Sequence, residues 1–208
     1  MKTAFTIGVL GAFALLMIAC SDATANYAGT NATGAKEVTE ETGTELKFSN
    51  ENSKINFLGE KVTGHHDGGF NKFAGKAVID GDTLKQVEVT IDMDSIWTDN
   101  DEADEPKLTG HLKTADFFDV KNHPESKFIS TGIKKGGEGG THTITGNLTM
   151  RGKTKSISFP ADITLKDGTL TAKAKFKIDR QQWGVHFKGM EDNLIKDEVG
   201  LALDISAG

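Results

Sequence analysis

Beyond Thr44 the chain alternates apolar and polar residues with a period of two, and that periodicity leaves few folds open. VEVTIDM puts Val87, Val89, Ile91 and Met93 on one face and Glu88, Thr90 and Asp92 on the other. LTAKAKFKI sets Leu170, Ala172, Ala174, Phe176 and Ile178 against Thr171, Lys173, Lys175 and Lys177. ITGNLTM, ISFPADITL and VGLALDI repeat the pattern. Successive side chains of a strand point to opposite faces. These segments are therefore strands wet on one side and apolar on the other, as in an antiparallel sheet folded over or closed on itself. IDGDTL, KKGGEGGTHT and LKDGTL supply the Asp-Gly and Gly-Gly pairs that hairpin turns need.

Seven or eight such strands fit between Glu45 and Gly208, enough chain to bury a core without disulfides. One region breaks the period. Asp99 to Ser126 reads as a long excursion with one or two short helices, Thr114 capping the turn that opens at Ala115 and Pro124 ending the helical stretch after it. Inside it, DFFDV places Phe117 beside Phe118. Two adjacent rings cannot share one buried strand face, so the pair requires apolar surroundings on more than one side. Pattern alone leaves barrel and sandwich both open, and an eight-stranded barrel can be filled by its own side chains or hold one small ligand.

The N-terminus carries an address. MKTAFTIGVLGAFALLMIAC has a basic Lys2, an apolar run from Phe5 to Ala19 and the chain's single cysteine after a small residue. This is the layout of a secretory signal, too short for a dependable membrane span. A lone cysteine in an exported chain calls for an explanation other than a disulfide. LMIAC resembles the bacterial lipobox, which implies a signal peptide over 1–19 and a diacylated Cys20 as the mature N-terminus; Met17 departs from the usual Leu or Val. Ser21 after the cysteine favours the outer membrane, by resemblance to the sorting rule of enteric bacteria. Residues 20–44, rich in Ala, Thr, Gly, Asn and Glu, read as the lipidated cysteine and a flexible tether, with the folded domain over 45–208.

The net charge of −6 and the absence of a basic cluster argue against nucleic acid and against electrostatic docking on anionic lipid. The sequence holds no Gly-x-Ser-x-Gly, no phosphate loop and no nucleophilic cysteine once Cys20 is lipidated, so the chain reads as a non-enzyme. His65-His66 reads as hairpin polarity, since neighbours on a strand face opposite ways and Asp67-Gly68-Gly69 signals a turn; no metal is expected. The acidic run Asp99 to Glu105 lacks the glycine and terminal glutamate of a calcium loop and reads as a solvated loop.

SKINFLGEKVTGHHDGGF, VTIDMDSIWT, GHLKTADFFDVKNHPESKFIST, GNLTMRGKTKSISFP, FKIDRQQWGV and VGLALDIS come one after another in an order that resembles the YceI family, the lipocalin-like, polyisoprenoid-binding exported proteins of bacteria. The resemblance runs from about Phe48 to Ser206 and departs at DNDEADE. It implies an all-β fold, an eight-stranded antiparallel lipocalin-like β-barrel with a short helical insertion near its mouth. It further implies an apolar lumen that takes a polyisoprenoid, quinone-like or fatty-acyl ligand, with no other cofactor.

On that reading Val89, Ile91, Leu148, Phe176 and Leu203 face the lumen with Phe117 and Phe118, one ring of the pair anchoring the insertion and the other facing inward. Ala172, Ala174 and Ala202 would leave it room. His111 reads as a packing or capping residue, with ligand contact as the alternative. Asp179-Arg180 reads as a buried pair that stitches the barrel end or as a reader of a polar head, since arginine suits carboxylate, amide or phosphate. Trp183 reads as packing, with its N–H at the rim. The rival class is a structural or stress-response surface lipoprotein whose barrel is filled by its own side chains and which acts through protein contacts. Ten phenylalanines and two tryptophans remain outside the signal, enough to fill a narrow barrel. A homodimer is compatible with either reading.

Overall fold

A computed structural model describes residues 22–99, 107–191 and 193–208. The signal peptide, Cys20 and the acidic residues 100–106 lie outside them. Within them run β1 (Ala28–Gly29), β2 (Thr33–Gly34), β3 (Thr44–Ser49), β4 (Lys54–Lys61), β5 (Gly64–Phe70), β6 (Phe73–Asp80), β7 (Thr83–Asp92), β8 (Ile96–Thr98), α1 (Lys107–Lys113), β9 (Glu125–Lys135), β10 (His142–Met150), β11 (Lys153–Lys166), β12 (Thr169–Asp179), β13 (Gly189–Met190) and β14 (Asn193–Ala207). One antiparallel path of neighbours connects β3-β6-β7-β9-β10-β11-β12-β14-β4-β5-β8. The sheet curls until β3, one end of this path, meets the end of β14: the Gly208 N–H donates to the Lys47 carbonyl at 3.2 Å.

This is the lipocalin-like barrel with a short helical insertion. Its strand count exceeds eight in part because β1, β2, β8 and β13 are additions of two or three residues. The Asp-Gly signals hold where hairpins turn: Asp167 and Gly168 take φ of 50° and 72°, the two left-handed residues of a type I′ turn.

Alternation sorts the faces as the strands require. Leu46, Phe48, Ile55, Phe73, Ala77 and Leu84 gather at the end away from α1, while Ile144, Ile157, Phe159, Phe176, Ile178 and Trp183 line the middle. Three inward rings lie across strand glycines: Phe48 over Gly75, Phe57 over Gly68 and Phe128 over Gly146, each where a Cβ would collide with the ring. The glycines let large rings settle flat on the wall, which keeps them out of the centre.

Four sequence expectations change. Asp67-Gly68-Gly69 is not a turn but lies inside β5, because the chain reverses earlier, at Val62 and Thr63. The turn opening at Ala115 forms, but the Thr114 side chain does not cap it; its hydroxyl donates to the His111 carbonyl at 2.8 Å and closes α1. Asp99 is not simply solvated, since its carboxylate sits 3.0 Å from His66 Nδ1. The tether is a belt. Residues 22–44 cross the outside of the barrel, β1 pairing β12 and β2 pairing β11. The Thr24 N–H donates to buried Glu60 at 3.0 Å, Lys36 N–H to Asn147 at 2.9 Å, and the Gln86 amide to the Thr39 carbonyl at 2.8 Å. The segment holds by hydrogen bonds to the wall, a route invisible to a count of apolar residues.

Candidate functional site

The inward faces do not meet at the centre of the barrel. They enclose a cavity of about 390 Å³, within the range of small-ligand pockets. Val89, Ile91, Leu148, Phe176 and Leu203 line it, together with Phe117 and Phe118. Ala172 and Ala174 also line it, leaving space opposite larger residues, whereas Ala202 pairs with Lys175 on the outer face. Ile144, Met150 and Phe159, from the alternating ITGNLTM and ISFPADITL, complete the wall together with Phe57, Phe70 and Phe128, which no quoted alternating segment contained. Phe159 stacks on Phe176 with centroids 4.0 Å apart, and Phe128 tilts against Phe159 at 5.7 Å.

At the end where β4 turns into β5, α1 and residues 114–123 form a lid. Leu108, Leu112, Phe117 and Phe118 reach the cavity from it. Phe117 is buried against Leu112, Ile96 and Val185, while Phe118 packs against both the lid cluster and the barrel cluster. His111 does not line the cavity. Its ring wedges edge-on against Phe117 at 5.0 Å and Phe187 at 4.7 Å, and its Nε2 lies 3.1 Å from Asp116, so it braces the lid from outside.

Arg151, which the sequence pattern does not single out, latches this lid. It adopts φ 50° in the β10–β11 turn and donates to the Phe117 and Ala115 carbonyls at 2.7 Å each and to Gly184 O at 2.9 Å. Its only sequence signal is the Arg-Gly pair between two alternating runs, a turn pair that invites no functional reading.

The Asp179-Arg180 pair is not a pair. Asp179 caps the 3₁₀ turn Arg180–Trp183, accepting from the Gln181 N–H at 2.9 Å, and does not line the cavity. Arg180 turns away from it. The guanidinium donates to the carbonyls of Val185 at 2.8 Å, Lys196 at 3.1 Å and Ile195 at 3.4 Å, and to the Asp197 carboxylate at 3.2 Å. Burial pushes it below the usual guanidinium range, against the pull of Asp197 and Asp179. Its stem reaches the cavity but its donors are committed to the protein. Trp183 is also withdrawn: fully buried, its Nε1–H donates to the Leu148 carbonyl at 3.0 Å, so its N–H serves the wall and not the rim.

Two more polar groups at this end are paired, whereas Lys61 lines the rim in no ion pair with a described residue. Glu60 accepts from Thr24 and forms an ion pair with Lys196, and His66 faces Asp99. Among the described residues no three His, Cys, Asp or Glu side chains gather as a metal site. Such an arrangement favours removal of a long apolar group from water and offers little inside the lumen to recognise a charged head.

Comparison with known proteins places this geometry. The model of the YceI-like domain family matches residues 46–207. A UPF0312 protein of Pseudomonas putida strain GB-1 is 38% identical over 110 residues, 52% of this chain and 53% of that protein. A UPF0312 protein of Pectobacterium carotovorum is 39% identical over 98 residues, 46% of this chain and 47% of that protein. The chain thus spans about half the length of the curated relatives it matches. The crystal structure of Burkholderia cenocepacia BcnA superposes with TM-score 0.63 at 23% identity, covering 75% of this chain and 96% of BcnA. A polyisoprenoid-binding domain from Saccharophagus degradans, implicated in plant cell wall breakdown, superposes with TM-score 0.61 at 10% identity, covering 80% and 98%. At these identities the two structures share the fold.

Proposed function

The chain belongs to the YceI-like domain family, and on that premise we propose that it is a non-enzymatic envelope lipoprotein that binds or carries a hydrophobic isoprenoid-like or fatty amphiphile in the barrel lumen. The observation that carries this is the lumen itself, a cavity of about 390 Å³ walled by aliphatic and aromatic side chains from most strands of the barrel. A barrel filled by its own residues would have no such space, which is why the structural alternative is the weaker reading.

Apolar contact supplies the affinity. Each methylene removed from water contributes about 0.8 kcal/mol. A ligand of roughly 30 heavy atoms at about −0.3 kcal/mol per atom reaches roughly −9 kcal/mol, a sub-micromolar constant without a specific polar contact. The committed donors of Arg180 and Trp183 agree with a head group left at the rim. The signal over 1–19 and the lipobox-like LMIAC support export and acylation at Cys20, in the outer membrane facing the periplasm.

The full chain, produced in a bacterial envelope and purified in mild detergent, tests this by mass spectrometry. Native spectra are compared with denaturing spectra and an organic extract. A stoichiometric isoprenoid or acyl species released on denaturation is the expected result. No released mass, together with failure to take up added polyprenyl or fatty-amide ligands, would overturn it.

A further inference from the structure

Among the described residues three large apolar side chains are exposed, Val38, Val62 and Leu194, and two of them are neighbours. Val62, 72% exposed at the β4–β5 tip, donates its N–H to the carbonyl of Leu194, 50% exposed, at 3.0 Å. The next residues in register, Lys61 and Ile195, belong to the cavity wall, as does Gly189 opposite Leu194. The apolar pair therefore stands at the rim of the lumen.

The start of the described chain comes to the same place. Asp22 lies 3.6 Å from the Lys196 ammonium, and Thr24 is bonded to Glu60. Lys196 and Glu60 are each two residues from Leu194 and Val62, about 7 Å along a strand. Residue 20 precedes Asp22 by two residues, so it can lie no more than about 7 Å away. The belt fixes the chain start to the wall, so an acyl group on Cys20 would emerge beside the two tips.

We propose that this end of the barrel seats on a phospholipid bilayer, with Val62 and Leu194 entering the boundary between headgroups and acyl chains and the rim of the lumen opening toward lipid. The proposal rests on the reading of Cys20 as an anchor for the strength of attachment, since stable membrane binding takes two signals and a pair of tips is a weak one. The seat is apolar in character. The chain carries a net charge of −6 and the tip of the β13–β14 hairpin carries Glu191, so zwitterionic lipid suits it and salt should not weaken it. Cargo would then pass between bilayer and lumen without crossing bulk water.

The test uses the full chain reconstituted into phosphatidylcholine vesicles with brominated acyl chains, which quench tryptophan on contact. Val62→Trp and Leu194→Trp are compared with Asp82→Trp, exposed at the β6–β7 turn and separated from the lid end by the ten residues of β7. Loss of most of the added emission at the first two positions, unchanged by salt, with none at the third, is expected. Equal quenching at all three, or none at any in protein that floats with the vesicles, would overturn the seat. So would a detergent-stable dimer whose tips are shielded from lipid, which would assign the pair to a second copy of the chain. Failure to float would overturn it as well. Extraction of cargo from the same preparations reads the binding function independently, so the two failures are distinguishable.

Discussion

Replacing Arg180 by lysine decides whether this buried cation holds the barrel end or reads a ligand. The side chain is 4% exposed and its fork spans two segments, Val185 on one side and Ile195 to Asp197 on the other. A lysine ammonium is a single point and cannot reproduce both arms. At least two main-chain carbonyls lose their donor, each costing about 1–3 kcal/mol if it stays dry. The Ile195 to Asp197 side is partly open to water, so a total of about 3 kcal/mol is the reasonable sum. The Asp197 carboxylate is half-exposed, so Asp197→Asn should cost under about 1 kcal/mol. For a domain of this size, Arg180→Lys then lowers the midpoint of thermal unfolding by about 6–12 °C. Circular dichroism measures the midpoint, and native mass spectrometry well below it measures cargo retention, which should be unchanged. An Arg180→Lys protein with the parent midpoint but no retained cargo would refute the reasoning and return the residue to ligand recognition.

Arg151→Asn, which tolerates the left-handed backbone, removes two charge-assisted bonds to the lid and one to Gly184; it should cost about 1.5–3 kcal/mol locally and speed cargo exchange, and an unchanged exchange rate would show that the lid does not gate the lumen. Gly146→Ala drives a Cβ into the Phe128 ring and to 2.6 Å from the Ile129 carbonyl, with an expected loss of about 1–3 kcal/mol; because the ring is the movable partner, Phe128→Leu should restore part of it, and strict additivity in the double mutant would disprove the contact. The belt should be pH-limited at both ends. Hydrogen bonds from the Thr24 hydroxyl and N–H, more than Lys196, hold the Asp22 carboxyl below its ordinary 3.8, so that contribution exists above 3.8 and is lost as pH falls through the folded value. The Glu60 partner raises Lys196 above 10.5, a contribution present below 10.5 and lost as pH rises through its folded value. Hydrogen-exchange protection of the Thr24 amide should therefore drop in acid and in strong base, and an Asp22→Asn variant whose acid profile matches the parent's would contradict it.

The wall of the lumen was legible because its cause is local. In LTAKAKFKI the pleat alone puts Phe176 and Ala174 on one face and the lysines on the other, and burial of one face allows a single choice. VGLALDI illustrates the limit, since its Leu203 faces the lumen while Ala202, equally apolar, faces out beside Lys175. Adjacent apolar residues give the pattern no way to choose between faces, and the register with the neighbouring strand makes the choice. For Phe117 and Phe118 adjacency announced two apolar environments, but which ring met the lid and which the barrel was set by packing between distant segments, with Arg151, 34 positions from Phe117, donating to the Phe117 carbonyl.

By itself the sequence pattern determined half-wet antiparallel strands with one insertion, because strand periodicity and turn chemistry act over a few residues and require no partner to be known; barrel against sandwich was left to the family resemblance and to the closed sheet. Tertiary structure alone decided that the lumen stays open, that Arg180 spends its donors on Val185 and the β14 backbone, and that residues 22–44 wrap the wall instead of hanging free. Each of these depends on contacts between segments far apart in the chain, where the geometry of closure sets which polar groups meet and how much space the rings leave.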